Sequence, residues 1–361
     1  MVQIANSAMA GRASMQDAGG KPALEAAALP GRDAFAPLTA LSTSQWRALA
    51  ERAIEPNGYY LPDWELAVNA SARGRTGVSA LSAWGDASLT QDGAARLVAQ
   101  ARNAGAHALI LRDVSLDGAV MTAFAAVLRQ AGMHPLVLHS RLRACLDATR
   151  EADQLLREAL DGKKLKELRR QRHRLAEHGA VRFEVARTPD EVAPALEIFL
   201  RLEASGWKGQ RGTALIQDQG DAGFIRRAAP ALAETRQCEI VTLRAGDTPV
   251  ASAIVLRHGT RAFYFKLGID ERFAKFSPGV QLTLDLTRHL CADPAIASAD
   301  STAGADHPMI NPIWRGRFAI GDVLIPLRRN DPVVRLIHTA LTLRRLAREQ
   351  ARRAVRLVRG R

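Results

Sequence analysis

Residues 238–290 read CEIVTLRAGDTPVASAIVLRHGTRAFYFKLGIDERFAKFSPGVQLTLDLTRHL, and this stretch decides the fold. Three β-rich runs, 238–243, 250–256 and 261–267, are separated by short turns at Gly246-Asp247 and His258-Gly259. Turns that short join antiparallel neighbours. Ser277-Pro278-Gly279 follows, and 280–290 has helical periodicity. Ser277 is expected to be an N-cap whose oxygen accepts a helix N–H. Pro278 suits the first helical position, where no donor is needed. Gly279 is expected to let a ligand approach the backbone. Free amides and the positive end of the helix dipole favour an anion there, and Lys275 adds charge. An ordinary capped helix start is the competing reading of such a turn taken alone.

Outward from this stretch, 181–186 alternates as a strand. Residues 189–205 form a helical pattern with Val192, Leu196, Phe199 and Leu202 on one face. A second helix is expected over 221–235. A short strand is expected at 296–299 and another at 323–327. In the first half, helical patterns at 46–53, 93–103 and 120–130 alternate with strand patterns at 78–84, 108–112 and 135–139, which indicates α/β architecture. Residues 149–178 read as one charged helix stopped by Gly179. Seven Lys or Arg lie between Lys163 and Arg174, among them Lys166, Arg169 and Arg170. That helix is either a solvated connector or a wall facing phosphate.

The chain has 361 residues, room for two domains, and a net charge of +13. Such a charge points to an acidic partner: phosphate, nucleic acid or an anionic membrane face. Three cysteines without metal-ligand spacing give no disulfide framework, and no metal is expected. The first thirty residues lack an apolar signal core, and no run suffices to span a membrane. A cytoplasmic location follows, with the inner face of the membrane as a peripheral site. The expected domains are a disordered tail (1–34), an N-terminal α/β domain (35–148), a basic connecting helix (149–180), a second domain (181–328) and a basic helix (329–361).

The order of strand, two helices, three antiparallel strands, phosphate turn, helix and strand resembles the GNAT acyltransferase superfamily. The stretches 166–172, 202–209, 263–266 and 273–279, with Asp300-Ser301, His307-Pro308 and Trp314, resemble the CelD/BcsL-like branch, relatives of the FemAB peptidyltransferases. The resemblance covers about residues 160 to 327. It implies a GNAT-like mixed sheet flanked by helices, with two GNAT-like halves of which the first is degenerate. It also implies direct acyl transfer from acetyl-CoA or a longer acyl-CoA to an amine or hydroxyl of a sugar, lipid or envelope-polysaccharide precursor. Lys275, Phe276, Ser277, Pro278, Gly279 and Val280 would hold the pyrophosphate, and a backbone N–H of 261–268 would stabilise the oxyanion. The FemAB relatives imply an aminoacyl-tRNA donor instead, nucleic acid being expected in no other role. A non-enzymatic adaptor for membranes or polyanions is the third reading.

Three side chains are candidates for acid–base work. Glu203, ahead of Gly206-Trp207-Lys208, is the first choice for general base, against a plain surface carboxylate. Asp300 follows a short strand, where sites of α/β folds emerge, or it caps the next turn. His307 titrates in the useful range, or it serves a turn. Lys266 faces either solvent or a cleft, where it would bind phosphate or polarise a carbonyl. Trp207, Lys208 and Tyr264 are expected near the acceptor. The GNAT resemblance implies a tyrosine after the fifth strand that protonates the leaving thiolate; no tyrosine follows Tyr264, so in terms of that resemblance the role falls to Ser301 or His307, or to no side chain. Residues 331–361 carry nine Arg against two acids. Leu343, Leu346, Ala347, Ala354, Leu357 and Val358 share one helical face and the arginines the other. Such a helix lies on an anionic leaflet or docks on the protein's own surface.

Overall fold

A computed structural model describes residues 2–5, 35–82 and 90–359. The chain begins with β1 (Val2–Ala5), β2 (Phe35–Pro37), α1 (Thr43–Glu51), α2 (Pro62–Ser71), β3 (Ser79–Leu81), α3 (Thr90–Asn103), β4 (Ala108–Ser115) and α4 (Ala119–Gln130). It continues through β5 (Leu136–Asp147), α5 (Ala152–Ala159), α6 (Gly162–Ala176), β6 (Val181–Ala186), α7 (Pro189–Ser205), α8 (Trp207–Gln210) and α9 (Gln219–Glu234). The remainder is β7 (Cys238–Ala245), β8 (Thr248–His258), β9 (Arg261–Ile269), α10 (Pro278–Cys291), β10 (Ser298–Asp300), β11 (Gly316–Pro326) and α11 (Pro332–Arg359).

These elements form two interleaved units. One comprises 1–36, 79–141 and 319–361, and the other 37–78 and 142–318. In the first unit β4 pairs antiparallel with β1 and with β11. Leu109, Leu111, Val323 and Ile325 pack under α3 and α4 through Val98, Phe124 and Leu128. Ala108 and Leu324 meet Val334 of α11 in a separate cluster. Val2–Ala5 therefore form a strand where a disordered tail is expected; the rest of that tail lies outside the described residues, as do positions 83–89 of the expected strand 78–84.

In the second unit the strands run β5, β10, β9, β8, β7, β6. Alternation along the strands splits the side chains between two cores. Val241, Leu243, Ala253 and Val255 face Leu282, Leu286 and Leu290 of α10. Ile240, Ile254 and Leu256 face Leu196, Phe199 and Leu200 of α7, with Ile225 and Leu232 of α9. Helix α2 joins that second core through Leu61, Trp64 and Val68. Nothing in the expected outline placed a helix over 62–71. The segment expected as one helix at 149–178 is two, because the Asp161 side chain accepts the Lys164 amide at 2.6 Å and starts a new helix. β5 also runs past its expected end at His139, which carries Arg143 and Cys145 into the sheet of the second unit.

Candidate active site

Strand β9 carries the decisive irregularity. Ile254 of β8 lies opposite Lys266, but its neighbour Val255 lies opposite Tyr264, so Phe265 is an extra residue. A bulge of one residue reverses the facing of all that follows. Phe263 and Phe265 point into the α7–α9 core, and Tyr264 points into the α10 core. Beyond the bulge Leu267 and Ile269 pack on the α10 side. Lys266 and Gly268 therefore face α7. Gly268, a residue type that often marks a bulge in a strand, is not the site of this one. Gly268 serves close approach instead, since a Cβ there would lie 2.7 Å from the Glu203 backbone nitrogen.

This reversal brings Lys266 to Glu203. Their Nζ and Oε1 atoms are 2.9 Å apart, and Oε2 of Glu203 accepts the Leu215 amide at 2.9 Å. Glu203 is 2% exposed, so it is a buried counter-ion and not the surface carboxylate of the competing reading. With both oxygens engaged, it orients Lys266 more directly than it meets an acceptor.

β10 runs parallel to β9 and pairs with it over Arg261–Phe263 against Ser298–Asp300. Past that point the two strands part, while β9 continues to Ile269. Three groups gather at the parting. Thr302 Oγ1 donates to the Tyr264 carbonyl at 2.6 Å. Asp300, buried, accepts the Thr302 amide at 2.7 Å and the Arg143 guanidinium at 3.2 Å. Ser301 is also buried; its amide donates to the Ala144 carbonyl and its hydroxyl accepts the Ala303 amide at 3.3 Å. Sequence reasoning missed Arg143 and Thr302. Arg143 sits in a charged run that hides the strand, and a lone threonine carries no signal.

Other candidates are placed differently. Tyr264 is a core residue: its hydroxyl is 3.2 Å from Thr283 Oγ1, its ring is 5.9 Å from that of Trp314, and burial pushes its phenol pKa up. It does not share a face with Lys266. His307 Nδ1 accepts the amides of Met309 and Ile310 at 3.3 and 3.4 Å. A neutral ring accepting at Nδ1 carries its proton on Nε2, so His307 is a donor and not a base in this state. Trp207 and Lys208 belong to the short helix α8.

At the start of α10, Ser277 adopts φ 52°, ψ 51°, and its side chain makes no cap bond. The expected hydroxyl cap is corrected: a left-handed residue directs the side chain away from the helix end. The helix's own bonding starts with the Gln281 amide on the Ser277 carbonyl at 3.0 Å. Pro278 has no N–H, so Gly279 and Val280 supply the first-turn amides, and the hydroxyl does not compete for them. A Cβ on Gly279 would lie 3.0 Å from Leu267 Cδ2 and 3.2 Å from Ile269 Cγ2. This glycine thus seats the helix on β9, which differs from the expected approach by a ligand. Phe276 is buried beneath the turn, and Lys275 is exposed with Nζ 4.9 Å from the Phe276 ring centroid. Donors, dipole and lysine suit a phosphate.

A pocket of about 750 Å³ lies at the other ends of β9 and β10, lined by Arg187, Glu239, Arg257, His258 and Asp293 among others. The guanidiniums of Arg187 and Arg257 are already paired with Glu239 and Asp293. Among the described residues no group of His, Cys, Asp or Glu is arranged to hold a metal ion.

Residues 162–307 match the family model described as Acetyltransferase (GNAT) domain. Over these residues the chain is similar to GNAT-type acetyltransferase domains. The solved structure of FemX superposes with a TM-score of 0.55 at 12% identity, covering 82% of this chain and 98% of FemX. A conserved protein of unknown function from Bacteroides thetaiotaomicron VPI-5482 gives 0.53 at 11% identity, covering 82% of this chain and all (100%) of that one. At such identities the likeness concerns the fold. No curated protein sequence matches the chain. The GNAT-like mixed sheet flanked by helices is thus established, while the finer CelD/BcsL-like assignment rests on the resemblance alone.

Proposed function

We propose that the GNAT-type domain catalyses direct acyl transfer from acetyl-CoA or a longer acyl-CoA to an amine or hydroxyl of a sugar, lipid or envelope-polysaccharide precursor, in the cytoplasm. The parting of β9 and β10 beside Lys266 carries the reading. A cleft between two such strands holds a thioester in line with the amides of Gly279 and Val280. Lys275 and those amides would bind the pyrophosphate, with Phe276, Ser277 and Pro278 shaping the turn.

The thioester supplies an activated acyl carbon. The acceptor nitrogen or oxygen forms a bond to it, the carbon–sulfur bond breaks, and the acceptor's proton ends on the departing sulfur. Lys266, held by Glu203, stabilises the negative charge that develops on the carbonyl oxygen. His307, donating from Nε2, protonates the thiolate, and the proton leaving the acceptor returns to that ring nitrogen, so that the net transfer is from acceptor to sulfur. Asp300, held by Arg143, fixes the loop through Thr302 and keeps the strands parted. Ser301, Trp207 and Lys208 complete the acceptor side.

Coenzyme A and acyl-CoA should each raise the melting temperature of the full chain, and an acyl-CoA panel with amine and hydroxyl acceptors should release thiol. Lys266→Met should cut turnover about a hundredfold while leaving the thermal shift. Lys275→Glu, at an exposed position, should weaken the shift. No shift and no thiol release across the panel would sink the proposal.

A second reading takes aminoacyl-tRNA as donor, and one observation favours it. Lys163, Lys166, Arg169, Arg170 and Arg174 of α6 are exposed and have no ion-pair partner among the described residues. The end of that helix adjoins the phosphate turn, with the His178 ring 5.5 Å from that of Phe276. Preferential binding of charged tRNA supports this donor, and activity that survives ribonuclease excludes it.

A further inference from the structure

Helix α11 has two apolar faces. The inner one, Val334 with Ile337, packs on Ala108, Leu324, Leu136 and Leu138 of its own unit. This docking alone would satisfy the reading of the helix as a strut on the protein surface. An outer face is left over. Leu336 is 69% exposed and Leu343 60%, and Ala340 and Ala347 are exposed on the same line. Positions 336, 340, 343 and 347 repeat as one face of a helix. A step of two residues turns the helix by about 200°, so this face is opposite Val334 and Leu341.

Exposed arginines border the outer stripe on both sides. Arg344 and Arg348 lie along one edge, Arg335 and Arg353 along the other. None of the four has an ion-pair partner among the described residues; Arg345, on the inner side, reaches Glu349 at 3.8 Å and His139 at 3.4 Å. Among the described residues no helix is long and apolar enough to cross a membrane.

Charge complementarity selects the occupant. A second copy packed stripe to stripe would press arginine rows of like charge together. A nucleic acid would take up the arginines and leave the leucines in water. An anionic bilayer takes both, with the leucines at the acyl boundary and the guanidiniums among the headgroups. We infer that α11 docks the protein on an anionic lipid bilayer through the stripe Leu336, Ala340, Leu343 and Ala347, while its inner face stays on its own unit. This docking does not depend on the proposed transfer reaction.

Flotation of the full chain with phosphatidylcholine vesicles, with or without phosphatidylglycerol, tests it. Binding is expected with phosphatidylglycerol alone and should weaken as salt rises. Leu336→Glu with Leu343→Glu should reduce it about tenfold, and so should Arg344→Glu with Arg348→Glu, at unchanged circular dichroism and melting temperature. Four outcomes would overturn the inference. These are equal binding to both vesicles, unchanged binding in either double variant, a dimer that dissociates in the leucine variant, and RNA binding that needs the arginines but not the leucines. A stripe covered by the chain's own residues would appear as a lowered melting temperature in the leucine variant with no vesicle binding by the parent protein, and would overturn it too.

Discussion

Lys266 and Glu203 are 63 positions apart in the chain, yet their charged atoms are 2.9 Å apart at the end of β9. The carboxylate is wholly shielded and the ammonium a quarter exposed. Breaking such a pair from the buried side strands the remaining charge. Glu203→Gln should therefore destabilise the protein by about 2–4 kcal/mol, the partial exposure of the lysine holding it below the fully buried limit. Urea unfolding measures this, and a loss under about 1 kcal/mol would mean that the pair does not hold α7 to β9. Both residues stood out in the sequence as charges in apolar surroundings. Their contact did not, because strand alternation without a bulge sends Lys266 to the other face. Asp300 was legible as a strand-end carboxylate, but Arg143, which neutralises it, lay beyond the strand end read from the sequence.

At the scale of elements, α10 is held by two threonines one turn apart. Thr283 Oγ1 meets the Tyr264 hydroxyl at 3.2 Å, and Thr287 Oγ1 accepts the Trp314 ring N–H at 2.9 Å. All four side chains are buried. Each hydroxyl also donates to the carbonyl four residues back, at 2.8 and 2.7 Å, so one oxygen satisfies two partners. Thr287→Val keeps the volume and leaves a buried indole donor without an acceptor. The expected cost is about 1–3 kcal/mol, seen as a lower urea midpoint with an unchanged slope. A neutral result would show that the indole finds another acceptor. Helix α10 itself was easily read, since a proline start and an amphipathic repeat are local signals. The form of its N-terminus was not, because Ser277 takes left-handed angles that its residue type does not announce.

Across the whole molecule, acid stability has an identifiable source. Burial pushes the Glu239 carboxyl up, but the hydrogen bond and charge of His289 and the charges of Arg257 and Arg187 outweigh this and hold it below the usual carboxylate range. A depressed folded value means that the unfolded chain binds the proton more readily. The stabilisation is present above the unfolded carboxylate value, about 4.3, and is lost as pH falls through the folded one. Chemical denaturation between pH 6 and pH 3 (values set by that unfolded pKa of about 4.3) should show this loss, and Glu239→Gln should flatten it. An equally steep acid loss in that variant would move the cause elsewhere.

The sequence by itself determined the main elements between residues 181 and 300 and their order, because hairpin turns, helix starts and apolar repeats are all local. From these came the GNAT-like reading, the phosphate turn and the basic amphipathic helix. The tertiary structure alone decided that 37–78 folds with 142–318, since Leu61, Trp64 and Val68 find their partners on α7 and α9. It alone decided that Phe265 bulges, turning Lys266 toward Glu203, and that α11 keeps a second apolar face after docking its first. Each of these depends on which distant surface a side chain meets, and no local pattern encodes that.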